Sequence, residues 1–437
     1  MCALEPSSTV IEERLTKVFP PNWLETRARI LGVVVRDRKV DITALVWSLV
    51  LGFAVGNSRS IEELRRTYIR IADHQLCPSS FHDRLTEELA VLLRELIDEA
   101  ITETPTPHTM TDHLDRIREV VIADATVFQV HELLAERYPA THEDRAGAKL
   151  HLVHNLTDDT VERLDIGDER SHDSDHFRNG SWLDGRLLLI DLAYFKYHRF
   201  ARVDENGGYF VSRLKRSANP SIIKELRTWR GNARALVGEQ IWDVIDDLHR
   251  QEVDVLVEVS FKRRIYGGTR SSDTRTFRVT GHRNPESGEY HLYITNLPNE
   301  SFTPSQVASL YTARWEVELL FRELKSRYRL DELPSSKPRI VEVLILASIL
   351  SLVVSRVLLG LFREIATERG DDAVFPTERW ARTFESFAPL IAVRLAAYLG
   401  YDPPDLFELM YTEAQKRQTR PLLRDRVSAS LTDHAEA

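Results

Sequence analysis

Apolar residues in the first hundred positions recur at helical spacing. Ile42–Ala54 and Ile61–Ile71 carry them at three- and four-residue intervals, which predicts two helices. Pro78, Ser79 and Ser80 then open a third helix, Phe81–Ala100, with a serine as its N-cap. Two short helices, a turn and a helix opening with Phe81, His82 and Arg84 admit two readings. One is a DNA-binding helix-turn-helix; the other is an ordinary helical bundle. Thr102 to Pro107, rich in Thr and Pro, reads as a linker.

Beyond the linker the period shortens to that of strands. Val120–Asp124 is a short apolar run ending in an acid, and Arg186–Asp191 is a second. Lys149–Asn155, Val161–Ile166 and Tyr209–Leu214 alternate. Val253–Arg263, Thr274–Thr280 and Glu289–Asn296 predict antiparallel strands joined by glycine-containing turns. Ser305–Arg329 then reads as one long helix, opened by Thr303 as N-cap and Pro304 in the first turn. A very apolar helix follows from Ile340 to Phe362. Glu342 and Arg356 interrupt it, and the uncharged run Val343–Ser355 is shorter than the ~20 residues a spanning helix needs. It is expected to be a buried core helix. Gln415–Ala437 is a polar tail. These breaks divide the 437 residues into a helical, candidate DNA-binding segment (1–107), a first core segment (108–250), a β-rich segment (251–300), a second core segment (301–365) and a helical C-terminal region (366–437).

Composition changes the picture in two places. Net charge is −9, from 58 basic and 67 acidic residues, which taken alone argues against nucleic acid as a partner. The charge is segregated, however. From Lys196 to Arg234 ten basic residues, Lys215 and Arg216 among them, face only Asp204, Glu205 and Glu225. That stretch is a candidate DNA-tracking surface, with a solvated helix face as the plainer reading. The basic residues are mostly Arg, which suits bidentate phosphate contacts, although a GC-rich genome or a salt-rich host gives the same skew. Two cysteines, Cys2 and Cys77, build neither a disulfide framework nor a four-cysteine zinc site. They suit a reducing cytoplasm, and Cys77, before Pro78, is expected to be inert. The first sixteen residues show no signal-peptide pattern.

Candidate chemistry rests on three acids. Asp124 and Asp191 each end an apolar strand, where an acid is costly unless paired or bound to a cation; capping of the next turn is the alternative role. On the long helix, Tyr311, Arg314, Glu318 and Lys325 fall within about 60° of arc at ~100° per residue. Glu316 and Glu323 fall on another face, so geometry selects Glu318 among the nearby glutamates. An exposed face with Arg–Glu pairing explains Arg314 and Glu318, but not the aligned Tyr311 and Lys325.

Tyr311, Arg314, Trp315 and Glu318, followed by Lys325, resemble the Y-R-E-K signature of insertion-sequence transposases of the branch named after insertion sequence four. Leu292 to Leu297 and the Arg314–Trp315 pair are also similar to that branch, and Asp124 and Asp191 resemble the other two acids of its DDE triad. The resemblance runs from about Val120 to Leu361, and the long interval from Asp191 to Glu318 is similar to members with a β-rich insertion.

The resemblance implies an α/β fold: an RNase H-like core, with a mixed five-stranded sheet flanked by helices, carrying the insertion. It implies that Asp124, Asp191 and Glu318 bind two Mg²⁺ ions, with Mn²⁺ as a substitute. Ions roughly 3.5–4 Å apart activate the attacking hydroxyl and stabilise the leaving oxygen. It further implies cleavage at the element's ends, strand transfer into target DNA, and in insertion-bearing members a hairpin on the excised end. Tyr311, Arg314 and Lys325 are expected on backbone phosphate. Trp315 is expected to be a core anchor rather than a base-stacking residue, with Tyr266 or Trp229 as stacking candidates. The implied partners are terminal inverted repeats and target DNA, held by a homodimer in a prokaryotic, nucleoid-associated setting. No membrane is expected, and no Gly-rich phosphate loop suggests ATP. A domesticated nuclease and a catalytically silent repressor are the alternatives. His172 and His176 have a zinc-like spacing but no evident third ligand.

Overall fold

The computed structural model describes residues 9–34, 40–54, 60–72, 76–102, 117–143, 145–157, 160–172, 176–227, 235–263, 271–284, 287–327, 330, 333, 335–371, 373–402, 405, 407, 410, 411 and 413. The Thr/Pro linker beyond Thr102, Trp229, Tyr266 and the polar tail from Gln415 lie outside them. Helices α1 (Val10–Val18), α2 (Pro21–Ile30), α3 (Ile42–Ala54), α4 (Ile61–Ile71), α5 (Pro78–His82) and α6 (Glu87–Thr102) open the chain. Every residue of α3 is buried, as an uncharged helix with apolar side chains on every face requires. The helix expected over Phe81–Ala100 is two pieces. α5 begins at Pro78 and stops after His82, and α6 restarts where Thr86 Oγ1 accepts from the Leu89 amide at 3.3 Å. The side chain that bonds to the backbone there caps a new helix instead of continuing the old one. The inward face of α6, with Leu89, Leu93, Leu96 and Ala100, is buried.

The partner of that face is the apolar helix near the C-terminal end. It runs Pro338–Arg369, and its most apolar window is 94% buried inside the protein. With the segment Thr377–Tyr398 it shares one core with α1 to α6. The charges that interrupt its apolar run meet partners: Arg94 donates to Glu342 at 3.2 Å and Arg356 to Glu323 at 2.8 Å. Gly370, at φ 64°, ends the helix in the left-handed region.

Nine strands form one mixed sheet among the described residues. They are β1 (Glu119–Val130), β2 (Ala146–Asn155), β3 (Thr160–Asp168), β4 (Arg186–Ile190), β5 (Tyr209–Arg213), β6 (Ser221–Glu225), β7 (Glu252–Lys262), β8 (Ser272–Arg283) and β9 (Tyr290–Thr295), in the order β3-β2-β1-β4-β5-β9-β8-β7-β6. β1, β4 and β5 are parallel; the other pairings are antiparallel. The expected five-stranded sheet is thus corrected to nine. The strands expected as a β-rich insertion continue the same sheet, because β9 pairs with the edge of β5 and satisfies its backbone groups.

Asp124 does not end its strand as expected. β1 continues to Val130 because β2 pairs with it up to that residue. Only the β4 side stops, with Ala123 opposite Ile190. One sheet face, carrying Val120 and Ile122, packs on the helical core. The other, carrying Val121 and Ala123, packs under α7 (Tyr197–Glu205) and α8 (Ile241–Val244). There Phe200 stacks on Phe210 at 4.5 Å, and Phe277 meets Phe210 edge-on at 5.5 Å.

The expected long helix from Ser305 is also broken. α9 spans Pro304–Thr312 and α10 spans Trp315–Ser326, with Ala313 and Arg314 between them. Its start agrees with expectation: Thr303 and Gln306 form a capping box, and Pro304 takes the first position. α11 is Pro338–Arg369 and α12 is Thr377–Tyr398.

The lead into α9 is clasped by a buried ion pair. Arg278 on β8 donates to both Asp254 oxygens on β7, at 2.7 and 2.8 Å, and to the carbonyls of Leu297 and Phe302. Both partners are nearly inaccessible, at 3% and 4% side-chain exposure. Arg278→Met leaves a carboxylate and two carbonyls without donors. It is expected to cost about 3–5 kcal/mol, read as a lower urea midpoint, with much of the loss regained in the double variant Arg278→Met, Asp254→Leu.

Candidate active site

The parallel register decides where the first two acids meet. With Ala123 opposite Ile190, the next residues, Asp124 and Asp191, leave the last paired position side by side. Asp124 Oδ1 accepts from the Ala125 amide at 2.8 Å. Asp191 is the N-cap of the turn Leu192–Tyr194, and its Oδ2 accepts from the Ala193 amide at 3.3 Å. Capping and a place in the site therefore coexist in Asp191. Glu318 comes from the first turn of α10, where the helix N-terminus favours a negative charge. α10 packs on β1.

Arg314 sits among the three. Its Nη2 reaches Glu318 Oε1 at 2.5 Å, its Nη1 reaches Asp124 Oδ2 at 3.3 Å, and its Nε lies 3.9 Å from Asp191 Oδ1. The Nε is buried and has no hydrogen-bond partner. Asp124 is pushed up to about 6, first by burial and then by the charges of Asp191 and Glu318; the Ala125 amide and Arg314 pull the other way. One guanidinium thus compensates three carboxylates incompletely.

These residues line a cleft of about 720 Å³ together with Ala125, Thr126, Phe321, Arg322, Lys325 and Ser326. Lys325 donates to the Val127 carbonyl at 2.6 Å. Asp124, Asp191, Arg314, Glu318 and Lys325 are therefore gathered in one place. Tyr311 is beside them but does not line the cleft. It is buried, its ring 5.2 Å from that of Tyr293, and its hydroxyl has no hydrogen-bond partner. Burial pushes that hydroxyl up to about 12, so it stays a proton donor. Lys215 and Arg216 lie outside the cleft, exposed between β5 and β6, with Arg216 over the Trp242 ring at 4.6 Å.

Trp315 is not the expected core anchor. It is 52% exposed, because the break at Arg314 starts a new helix whose inward face is Val317, Leu320, Phe321 and Leu324. Glu316 is exposed and Glu323 pairs with Arg356, so neither faces the acids. Two basic residues at the site were not singled out in the sequence. Arg322 follows Glu318 by one helical turn, a spacing that was available as a signal. Arg213, at the end of β5, is exposed and bears electrostatically on both Tyr311 and Tyr293; it was hidden within the basic stretch. His176 bonds Asp165 at 2.5 Å and stacks on His151 at 4.0 Å. Cys77 is exposed, and the Ser79 and Ser80 hydroxyls lower its thiol to about 7, so it is more acidic than an inert thiol.

Among the described residues no three His, Cys, Asp or Glu side chains are spaced to enclose a metal ion. The guanidinium of Arg314 stands among the three acids. Their chemistry still fits a hard divalent cation: three oxygen donors, one of them an under-compensated, half-buried carboxylate.

Residues 115–354 match the family model of the transposase DDE domain, more than half of the chain. The chain belongs to the DDE transposase family. Members of this family cleave DNA and transfer its strands, and they use divalent metal ions. The domain implies an RNase H-like core, here the part of the sheet that carries Asp124 and Asp191. This DDE transposase is similar to the transposase for insertion sequence element IS231F of Bacillus thuringiensis subsp. israelensis, with 24% identity over 76% of each chain. It is also similar to that for IS1151 of Clostridium perfringens, with 20% identity over 81% of this chain and 82% of that one. A solved piggyBac transposase synaptic complex with hairpin DNA aligns over 95% of this chain and 87% of that one, at a TM-score of 0.49 and 8% identity.

The raised Asp124 has a stability consequence. An acid whose folded value of about 6 exceeds its ordinary 3.8 keeps its proton longer in the folded chain. Stability is therefore lost as pH rises from near 4 through 6, and the penalty is complete at neutral pH. Asp124→Asn is expected to raise stability of the DNA-free protein at pH 7.5 by about 1–3 kcal/mol. The gain should shrink toward zero near pH 4 in thermal unfolding followed across pH.

Proposed function

We propose that this protein is the transposase of an insertion sequence, of the Y-R-E-K branch. Its substrates are the element's terminal inverted repeats and a target DNA. The observation that carries the reading is the convergence of Asp124, Asp191 and Glu318 on one cationic centre in an open cleft. The three carboxylates hold Mg²⁺, two ions with Mn²⁺ as a substitute, which when bound polarise the scissile phosphate and lower the pKa of the attacking hydroxyl.

The chain's own residues do the rest. Lys325 and Arg322, on the wall of the cleft, neutralise phosphates of the bound strand. Arg314 makes a further phosphate contact. Tyr311, protonated and without a protein partner, supplies a hydrogen-bond donor at the edge of the site. Lys215 and Arg216 extend the basic surface that guides the duplex. ATP is not required, because transesterification exchanges one phosphodiester for another. A homodimer pairs the two ends, in the nucleoid of a prokaryotic cytoplasm.

Incubation of the protein with a duplex carrying the gene's own flanking ends, in Mg²⁺ or EDTA, tests the reading. Metal-dependent cuts at the ends are expected, with Glu318→Gln slower by roughly 10²–10³-fold. Undiminished cutting by Glu318→Gln would move the active site elsewhere. Binding of the ends with no cutting by wild type would favour a repressor.

A further inference from the structure

Resting on the metal-ligand reading above, we propose that Arg314 is a placeholder cation, which holds the three acids together without metal or DNA and must leave before a divalent ion enters. Its three nitrogens each face a different carboxylate, at 2.5, 3.3 and 3.9 Å. The space among the acids is thus taken by the guanidinium. A divalent ion, which needs oxygen ligands at ~2.0–2.6 Å, meets both its volume and its positive charge.

Two features prepare Arg314 to leave. Its backbone lies in the break between α9 and α10 rather than within either helix. Its Nε also reaches no hydrogen-bond acceptor, so hydrogen bonds hold it to Asp124 and Glu318 while charge alone draws it to Asp191. No other cation of the cleft replaces it at the centre: Lys325 is tied to the Val127 carbonyl at 2.6 Å, and Arg322 forms part of the outer wall.

Once displaced, Arg314 needs an anion, and the ligand of this cleft that carries one is DNA phosphate. DNA therefore lowers the cost of metal entry, and metal entry frees Arg314 for DNA. The coupling is reciprocal, as linkage requires. It would keep the DNA-free protein poorly loaded with metal and so limit cutting away from bound ends.

The test reads metal binding without turnover. Free Mn²⁺ is titrated by electron paramagnetic resonance against full-length wild type, Arg314→Gln and Lys325→Gln. Both variants remove one positive charge from the same cleft, but only the first vacates the centre. Arg314→Gln is expected to bind Mn²⁺ about tenfold more tightly than wild type, within the range usual for coupled sites. Lys325→Gln should gain less than about threefold, as a charge acting from the wall. Adding a short duplex of the flanking DNA should tighten Mn²⁺ binding more in wild type than in Arg314→Gln. Equal DNA-free affinity of wild type and Arg314→Gln, or an equal gain in Lys325→Gln, overturns the proposal. If Arg314→Gln does not fold, Arg314→Lys keeps the charge but shortens the reach, and unchanged Mn²⁺ affinity there overturns it equally. Asp124→Asn separates the two levels. Mn²⁺ binding that survives this change defeats the metal-ligand reading itself; binding lost there without a gain in the Arg314 variants defeats only the placeholder.

Discussion

Three carboxylates from three separate elements stand around one guanidinium, and like charges in a half-buried cleft repel. The guanidinium of Arg314 is what allows Asp124, Asp191 and Glu318 to be neighbours in the protein alone. The compensation is incomplete, as the raised Asp124 shows. A site built this way stores an unmet demand for positive charge, and stability is sacrificed to keep that demand available.

The surrounding fold serves that arrangement. The parallel pairing of β1 with β4 aligns the two aspartates, and continued pairing of β1 with β2 keeps Asp124 on a rigid strand rather than at a loose end. Glu318 has to be delivered from a distance of more than a hundred residues in sequence. The strands β6 to β9 span that interval without forming a separate body, because β9 joins the edge of β5. The Arg278–Asp254 pair then clasps the carbonyls of Leu297 and Phe302 just before α9 begins. On the opposite side, α11 ties α10 to the helical bundle through Arg356 and Glu323. The helix that carries Glu318 is thus anchored at both ends of its path.

Much of this was legible in the sequence, for identifiable reasons. The helix start at Thr303 and Pro304 is local chemistry, and so are the helices over Ile42–Ala54 and Ile61–Ile71. Glu318 was separable from Glu316 and Glu323 because a helix repeats at ~100° per residue, and α10 alone is long enough to preserve that relation. The breaks at Asp83 to Thr86 and at Ala313 and Arg314 were not legible, since no Pro or Gly marks either. Trp315 was misplaced for the same reason, as its direction depends on where the new helix starts.

The sequence by itself determined the residue types, the strand and helix periods and the Y-R-E-K spacing, because these depend on neighbours within a few residues. Tertiary structure decided the nine-stranded sheet, the mid-strand position of Asp124, and the burial of Tyr311 away from the cleft. It also decided that Arg314 stands among all three acids rather than beside Glu318 alone. Each of these depends on which backbone edge or side chain arrives from far along the chain, and pairing between distant segments leaves no periodic trace in either one.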